Sequence, residues 1–147
     1  MKPIGYWLNR TDKALTDHMN SMLAEFGLTR LAWQVLNVVE DDPGVTDRAV
    51  LDHLAANADA DALTAAIEAV VADGWAARPE PGRLTLTDDG HARLAEVGER
   101  VDAFRALSTA GIPDEDYRTA VTVLERMTRN LETGQTASDP GSASAIS

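Results

Sequence analysis

The sequence predicts a mainly α-helical fold carrying one small β-hairpin, and three observations predict it. Apolar residues recur at steps of three and four through most of the chain, the period of an amphipathic helix. One stretch, RLTLT at 83–87, alternates polar and apolar as a half-buried strand does, and the turn composition Pro79-Glu80-Pro81-Gly82 stands just before it. No run approaches the ~18 uninterrupted apolar residues of a membrane span.

Taken in order, Leu8, Leu15, Met19, Met22 and Phe26 give an amphipathic first helix, with Gly27 in the position favoured after a helix C-terminus. Thr29 caps a second helix. Its stripe of Leu31, Val35 and Val38, joined by Ala32, Leu36 and Val39, is apolar over much of the circumference and marks a core helix. Pro43 and Gly44 stop it. Thr46 caps a short third helix carrying Val50, Leu51 and Leu54, and the stretch ANADADALTAAIEAVVADGW at 56–75 supplies Leu63, Ile67 and Val70 to a fourth. Two short helices a turn apart suggest a helix-turn-helix. Trp75 to Arg78 and Arg83 to Thr87 then form a hairpin around a loop of about four residues, the length of a tight two-stranded turn. A hairpin behind a helix-turn-helix is the layout of a winged helix. Asp88, Asp89 and Gly90 lead into a long helix with Leu94, Val97, Val101 and Phe104 on one face. Pro113 opens the last helix, where Asp114, Glu115 and Asp116 sit favourably against the N-terminal dipole. Tyr117, Val121, Leu124 and Leu131 form its stripe, with Met127 beside it.

Composition bounds the function. With 147 residues and 44% hydrophobic content the chain buries one core, as a single domain over 1–133 or as a compact domain with a dimerisation arm. The small, polar stretch QTASDPGSASAIS after Gly134 is expected to be disordered, a tail over 134–147 with no role of its own. The start MKPIGYWLNR lacks the pattern of a signal peptide, so a cytoplasmic protein with no membrane partner is expected. The chain has no cysteine, which excludes disulfides, thiolate metal sites and cysteine nucleophiles. Its formal net charge of −11 repels polyanions unless basic side chains are concentrated locally. They are not concentrated in the winged-helix stretch, where residues 45–90 hold nine acidic side chains against Arg48, Arg78 and Arg83.

In this order the residues resemble the MarR family of winged-helix regulators over roughly residues 4 to 133. IGYWLNRTDKAL is similar to the family's opening helix, LTRLAWQVLNVV to its second, with Trp33 in the characteristic aromatic position, and LTLTDDGHARL to the segment that leaves the wing and begins the fifth helix. The ordered set carries the resemblance. It implies a homodimer joined through the first helix and the last two, about 1–28 and 89–133, a winged helix-turn-helix at about 29–88 that meets double-stranded DNA, and ligands bound between the two parts. The chain departs from the family where reading is done. Ala60, Ala65 and Ala69 occupy recognition-helix places where basic residues commonly sit, and the wing is cut to PEPG. The resemblance therefore implies a homodimeric, ligand-responsive transcriptional regulator with an atypically weak DNA-reading surface. A second reading is a protein of this fold that has lost DNA binding and binds or transforms a small aromatic or natural-product-like molecule. A third is a partner that modulates another regulator.

The residues expected to contact DNA are Arg48, Asn57, Thr64, Arg78 and Arg83, with backbone amides at helix N-termini. For a small hydrophobic or aromatic ligand between the first, second and fifth helices they are Tyr6, Trp7, Arg10, His18, Met22 and Trp33, although ordinary core packing also explains the aromatics. Asp12 falls in register with Leu8, Leu15 and Met19. It either faces packed surface and needs Arg10, Lys13 or a partner chain as its counter-charge, or faces solvent or a wet dimer seam. The imidazole of His18 suits a proton sensor or a general base. His53 lies beside Asp52 and His91 starts the fifth helix. No two histidines stand at metal-ligand spacing, so neither a metal nor a cofactor is expected, and all three are read as exposed or hydrogen-bonded. GxSxG, P-loop and dinucleotide fingerprints are missing, so an enzyme here would be improvised, with Asp12, His18 or Tyr6 moving protons.

Overall fold

The computed structural model describes residues 1–136, and the part of the expected tail from 137 onward lies outside the described residues. The chain divides into two units, Met1–Phe104 and a second that begins at Arg105. The first unit holds α1 (Ile4–Ala24), α2 (Arg30–Asp41), β1 (Val45–Thr46), α3 (Asp47–His53), α4 (Ala60–Ala72), β2 (Ala76–Ala77), β3 (Arg83–Leu86) and most of α5 (Asp88–Ser108).

Four helices begin where a side-chain oxygen accepts from an otherwise unpaired N–H of the first turn. Thr29 takes Ala32 at 3.1 Å, Thr46 takes Ala49 at 3.1 Å, Asp59 takes Ala62 at 2.8 Å and Thr87 takes Gly90 at 2.8 Å. The Asp59 cap starts α4 at Ala60, so Ala56 to Ala58 belong to the turn before the helix, and Asn57 with them. At its other end, the Trp75 N–H donates to Val70 O at 3.0 Å and the Gly74 N–H to Val71 O at 3.2 Å. This pairing requires the left-handed backbone that Gly74 adopts at φ 82, which costs a side-chain-bearing residue more. The closure turns the chain so that Trp75, 1% exposed, enters the core and leads into β2.

That core is one cluster. Leu23 from α1, Val35, Leu36 and Val39 from α2, Val50 from α3, Leu63, Ile67 and Val70 from α4, Leu84 from β3 and Val97 from α5 all bury completely or nearly so. Each such side chain stabilises the fold by about 1.5–3 kcal/mol relative to exposure. No polar or charged residue is buried among the described residues, so the unit holds together by apolar packing and capped helices.

The sheet runs β1-β3-β2, antiparallel throughout, with Val45↔Leu84 and Thr46↔Arg83 on one side of β3 and Ala76↔Leu86 and Ala77↔Thr85 on the other. The expected hairpin is present with shorter strands, and residues 78–82 form its connection. Strand β1 was not expected. Two residues are too few to show an alternating pattern, and Val45 and Thr46 are extended because the second edge of β3 needs partners for its backbone groups.

The second unit contains α6 (Asp114–Thr136), which follows Pro113 and carries Asp114, Glu115 and Asp116 in its first turn. The helix continues through Gly134 to Thr136, past the boundary expected at 133. Leu124 and Met127 are half-buried, while Tyr117, Val121 and Leu131 are exposed. No helix among the described residues is long and apolar enough to cross a membrane.

Candidate functional site

Helix α4 buries Leu63, Ile67 and Val70, which fixes what it turns outward. The exposed positions are Ala60, Asp61, Ala62, Thr64, Ala65, Glu68, Ala69 and Ala72. Not one is Lys or Arg. Methyl groups cover most of this face, and its polar atoms belong to Thr64, Asp61 and Glu68. A phosphate approaching α4 therefore meets two carboxylates and one hydroxyl.

The three cations of this region have different fates. Arg78, expected as a DNA contact, is engaged by two carboxylates of its own chain. Its guanidinium forks onto Asp47, the first residue of α3, with Nη1 donating to Oδ1 at 2.7 Å and Nη2 to Oδ2 at 3.0 Å, and Nη2 also donates to Glu68 Oε1 at 2.9 Å. The hydrogen bonds to Asp47, and secondarily to Glu68, raise its pKa above the ordinary arginine value against the desolvation that burial imposes. Arg83 is likewise engaged, donating from Nη1 to Gly44 O at 2.9 Å and lying 3.7 Å from Glu80. Both wing arginines thus brace the sheet against its neighbours, because acceptors on the same chain are reached more cheaply than distant phosphate. Arg48 is exposed and borders a groove of about 360 Å³ that it shares with Asp52 and Asp59. Among the described residues no ion pair holds it.

Thr64 is exposed on α4. Asn57 lies in the preceding turn and donates to Gln34 Oε1 at 3.2 Å. With Gln34 and Arg30 it lines a second groove, of about 330 Å³, whose lining includes no carboxylate. Arg30 and Gln34 were missed in the sequence. A signal was present, since Arg30 is the first residue of α2, where a cation opposes the helix dipole and gains nothing locally.

The residues expected around a ligand fall into separate groups. Tyr6, Trp7 and Arg10 cluster at the start of α1. Arg10 Nη1 donates to the Tyr6 hydroxyl at 2.9 Å, the two rings meet edge-on with centroids 5.0 Å apart, and Lys2 Nζ lies 5.3 Å from the Tyr6 centroid. His18 stacks on Phe104 of α5, centroids 4.7 Å apart. Met22 is buried in the core, with Trp33 packed half-buried against that cluster. Fifteen residues separate Trp7 from Met22, about 22 Å along a helix, so one small molecule within one chain does not touch both. Asp12 is exposed, and neither expected counter-charge pairs with it: Arg10 bonds Tyr6, and Lys13 bonds Asp17 at 2.7 Å, which raises the lysine's pKa chiefly through that hydrogen bond. Tyr6, Asp12 and His18 stand six residues apart on one helix, about 9 Å per step along the axis, and do not converge on one reacting atom. His53 and His91 are exposed at the end of α3 and the start of α5. No group of three or more His, Cys, Asp or Glu among the described residues is placed to hold a metal.

No family model and no curated protein matches the sequence. Solved structures do match. A MarR family protein of Mycobacterium tuberculosis, in complex with DNA, is 25% identical, with a TM-score of 0.69 over 86% of this chain and 98% of that one. The same protein in complex with salicylic acid gives 26% identity and a TM-score of 0.61, over 86% and 97% of the two chains. The reduced form of MarR from E. coli, 20% identical, shares the fold at a TM-score of 0.67 over 86% and 94%. The fold of this chain therefore recurs over nearly the whole length of these proteins. The chain has the winged helix-turn-helix fold of these MarR family proteins.

Proposed function

We propose that the chain works as a homodimeric, ligand-responsive regulator of transcription whose hold on DNA is weak and comes mainly from outside the recognition helix. The observation that carries this reading is the fold match to a relative solved with DNA, which extends over 98% of that protein. Phosphates would meet Arg30 and Arg48, Thr64, Asn57 and the amides at helix N-termini, while α4 contributes shape rather than charge. A dimer doubles these contacts. Two faces support dimerisation: Ile4, Trp7, Leu8 and Leu15 on α1 and Tyr117, Val121 and Leu131 on α6 are large apolar side chains left exposed in the single chain. Such a protein would act in the cytoplasm, where its DNA is. The effector is a small aromatic molecule with an anionic group, a chemistry that suits Tyr6, Trp7 and Arg10 and is represented in a relative by salicylic acid.

The bare outer face of α4 favours a second reading, in which DNA binding has been lost and the chain binds or transforms a small aromatic molecule. Titrating duplex from the sequences flanking its own gene against random duplex, at physiological salt, separates the two. A regulator prefers the flanking duplex by at least about tenfold. Equal or undetectable binding of both overturns the regulator reading and leaves the small-molecule one.

A further inference from the structure

We propose that Glu68 competes with phosphate for the guanidinium of Arg78, so that one acid on the outward face of α4 sets how tightly this surface takes a polyanion. The inference rests on the reading of that surface as the one that meets DNA. Arg78 is held from two sides that are not equivalent. Asp47 grips it through a fork of two short bonds, and both side chains are largely covered, at 26% and 34% exposure. Glu68 reaches the same guanidinium from α4 with a single contact to Nη2, and its side chain is 63% exposed. The fork fixes the plane of the guanidinium, whereas the Glu68 contact is solvated and displaceable.

The charges explain why the competition matters. Arg78 with both carboxylates carries a net negative charge at the edge of a face that also holds Asp61. With Glu68 removed, Arg78 and Asp47 sum to zero. The Nη2 edge that Glu68 now occupies then becomes a donor beside the recognition helix, still oriented by Asp47. That is a phosphate contact already built, lacking only a vacancy.

The probes are heparin and a random duplex, so the outcome does not depend on any operator. In Glu68→Ala, the slope of log affinity against log salt for the duplex steepens by about 0.9, one added phosphate contact. Between about 50 and 200 mM salt this appears as a loss of affinity roughly three-fold greater than that of the wild type, and heparin retains the variant to higher salt. Asp61→Ala makes the same charge change on the same face without touching Arg78, and its slope stays at the wild-type value. Adding Arg78→Gln to Glu68→Ala returns the slope to the wild-type value. The proposal is overturned if Glu68→Ala leaves the slope unchanged or binds neither probe at low salt, and equally if Asp61→Ala matches it, since general charge then explains everything. Failure of the regulator reading is a different result, equal affinity for flanking and random duplex.

Discussion

Replacing Gly90 by Ala is expected to loosen the joint between α5 and the sheet. A Cβ built on Gly90 would lie 1.9 Å from the Trp75 carbonyl oxygen, 2.8 Å from its carbonyl carbon and 3.1 Å from Thr87 Oγ1. The obstacle is backbone, which does not rotate aside, so the first turn of α5 or the start of β2 moves by about 1 Å to restore ordinary contact distances. Overpacking of this kind costs about 1–3 kcal/mol. The shift also weakens the Gly90 N–H bond to Thr87 and the Thr87 N–H bond to Trp75 O, 2.8 and 3.0 Å, for about 1 kcal/mol more. Against this, Ala in place of Gly inside a helix returns about 0.8–1.0 kcal/mol. The net is about 2 kcal/mol of destabilisation, or roughly 4–8 °C in Tm for a chain of this size. Gly98, on the same helix, has nothing within 4 Å of its built Cβ, so Gly98→Ala isolates the helix-propensity gain and should raise Tm by about 2–4 °C. Thermal melts followed by circular dichroism, at one protein concentration, compare the two variants. Shifts of the same sign, or a Gly90→Ala protein that melts with the wild type, would refute the reasoning.

Removing the α4 cap with Asp59→Ala should cost about 1 kcal/mol in urea unfolding with an unchanged m-value, and a cost below about 0.3 kcal/mol would mean that the Asp59 bond to Ala62 is not what starts the helix. Light scattering at micromolar concentration should give the mass of a dimer, and paired Val121→Glu and Leu131→Glu changes should give a monomer; a monomeric wild type removes the proposed use of those exposed side chains. Salicylate-like acids should quench tryptophan emission in the wild type and leave Trp7→Phe unchanged. Quenching that survives in Trp7→Phe moves the ligand to the region of His18, Met22 and Trp33.

The helices were legible because each obeys a local rule. Thr29 and Thr46 announce their caps, Pro43 and Gly44 their stop, and Leu63, Ile67 and Val70 the buried side of α4 at helical spacing. What failed to show depends on partners distant in sequence. Strand β1 exists through Leu84 and Arg83, and the Asp59 cap sets the start of α4 at Ala60, within the stretch 56–75. The same limit applies at the site. Counting nine acids against three bases showed that the surface is poor in cations, but not which cation is occupied by which acid. Arg78 meets Asp47 across 31 positions and Glu68 across 10, and Arg83 meets Gly44 across 39. The structural role of one aromatic residue stayed hidden for a related reason. Trp7 and Trp33 drew attention as ligand contacts, whereas Trp75, fully buried with the Arg93 guanidinium 3.9 Å over its ring, anchors the core.

In α4 the scaffold and the reading surface are physically separable. The helix is held by three buried side chains, an Asp59 cap at one end and the Gly74 closure at the other, and the buried three leave the outward positions free to vary. Its exposed positions are filled mainly by alanine, the strongest helix former, which stabilises the element while offering nothing to a base edge or a phosphate. Selection on stability alone would accept this surface, and the fold match to a protein solved with DNA survives it because fold follows the buried positions. Exchanges at Thr64, Ala65 and Ala69 should therefore alter binding with stability changes within about 0.5 kcal/mol, whereas the same exchanges at Leu63 or Ile67 would unfold the helix before any binding could be measured. A basic residue placed at Ala65 or Ala69 that fails to raise duplex affinity would show that the bare face of α4 is not what limits the reader.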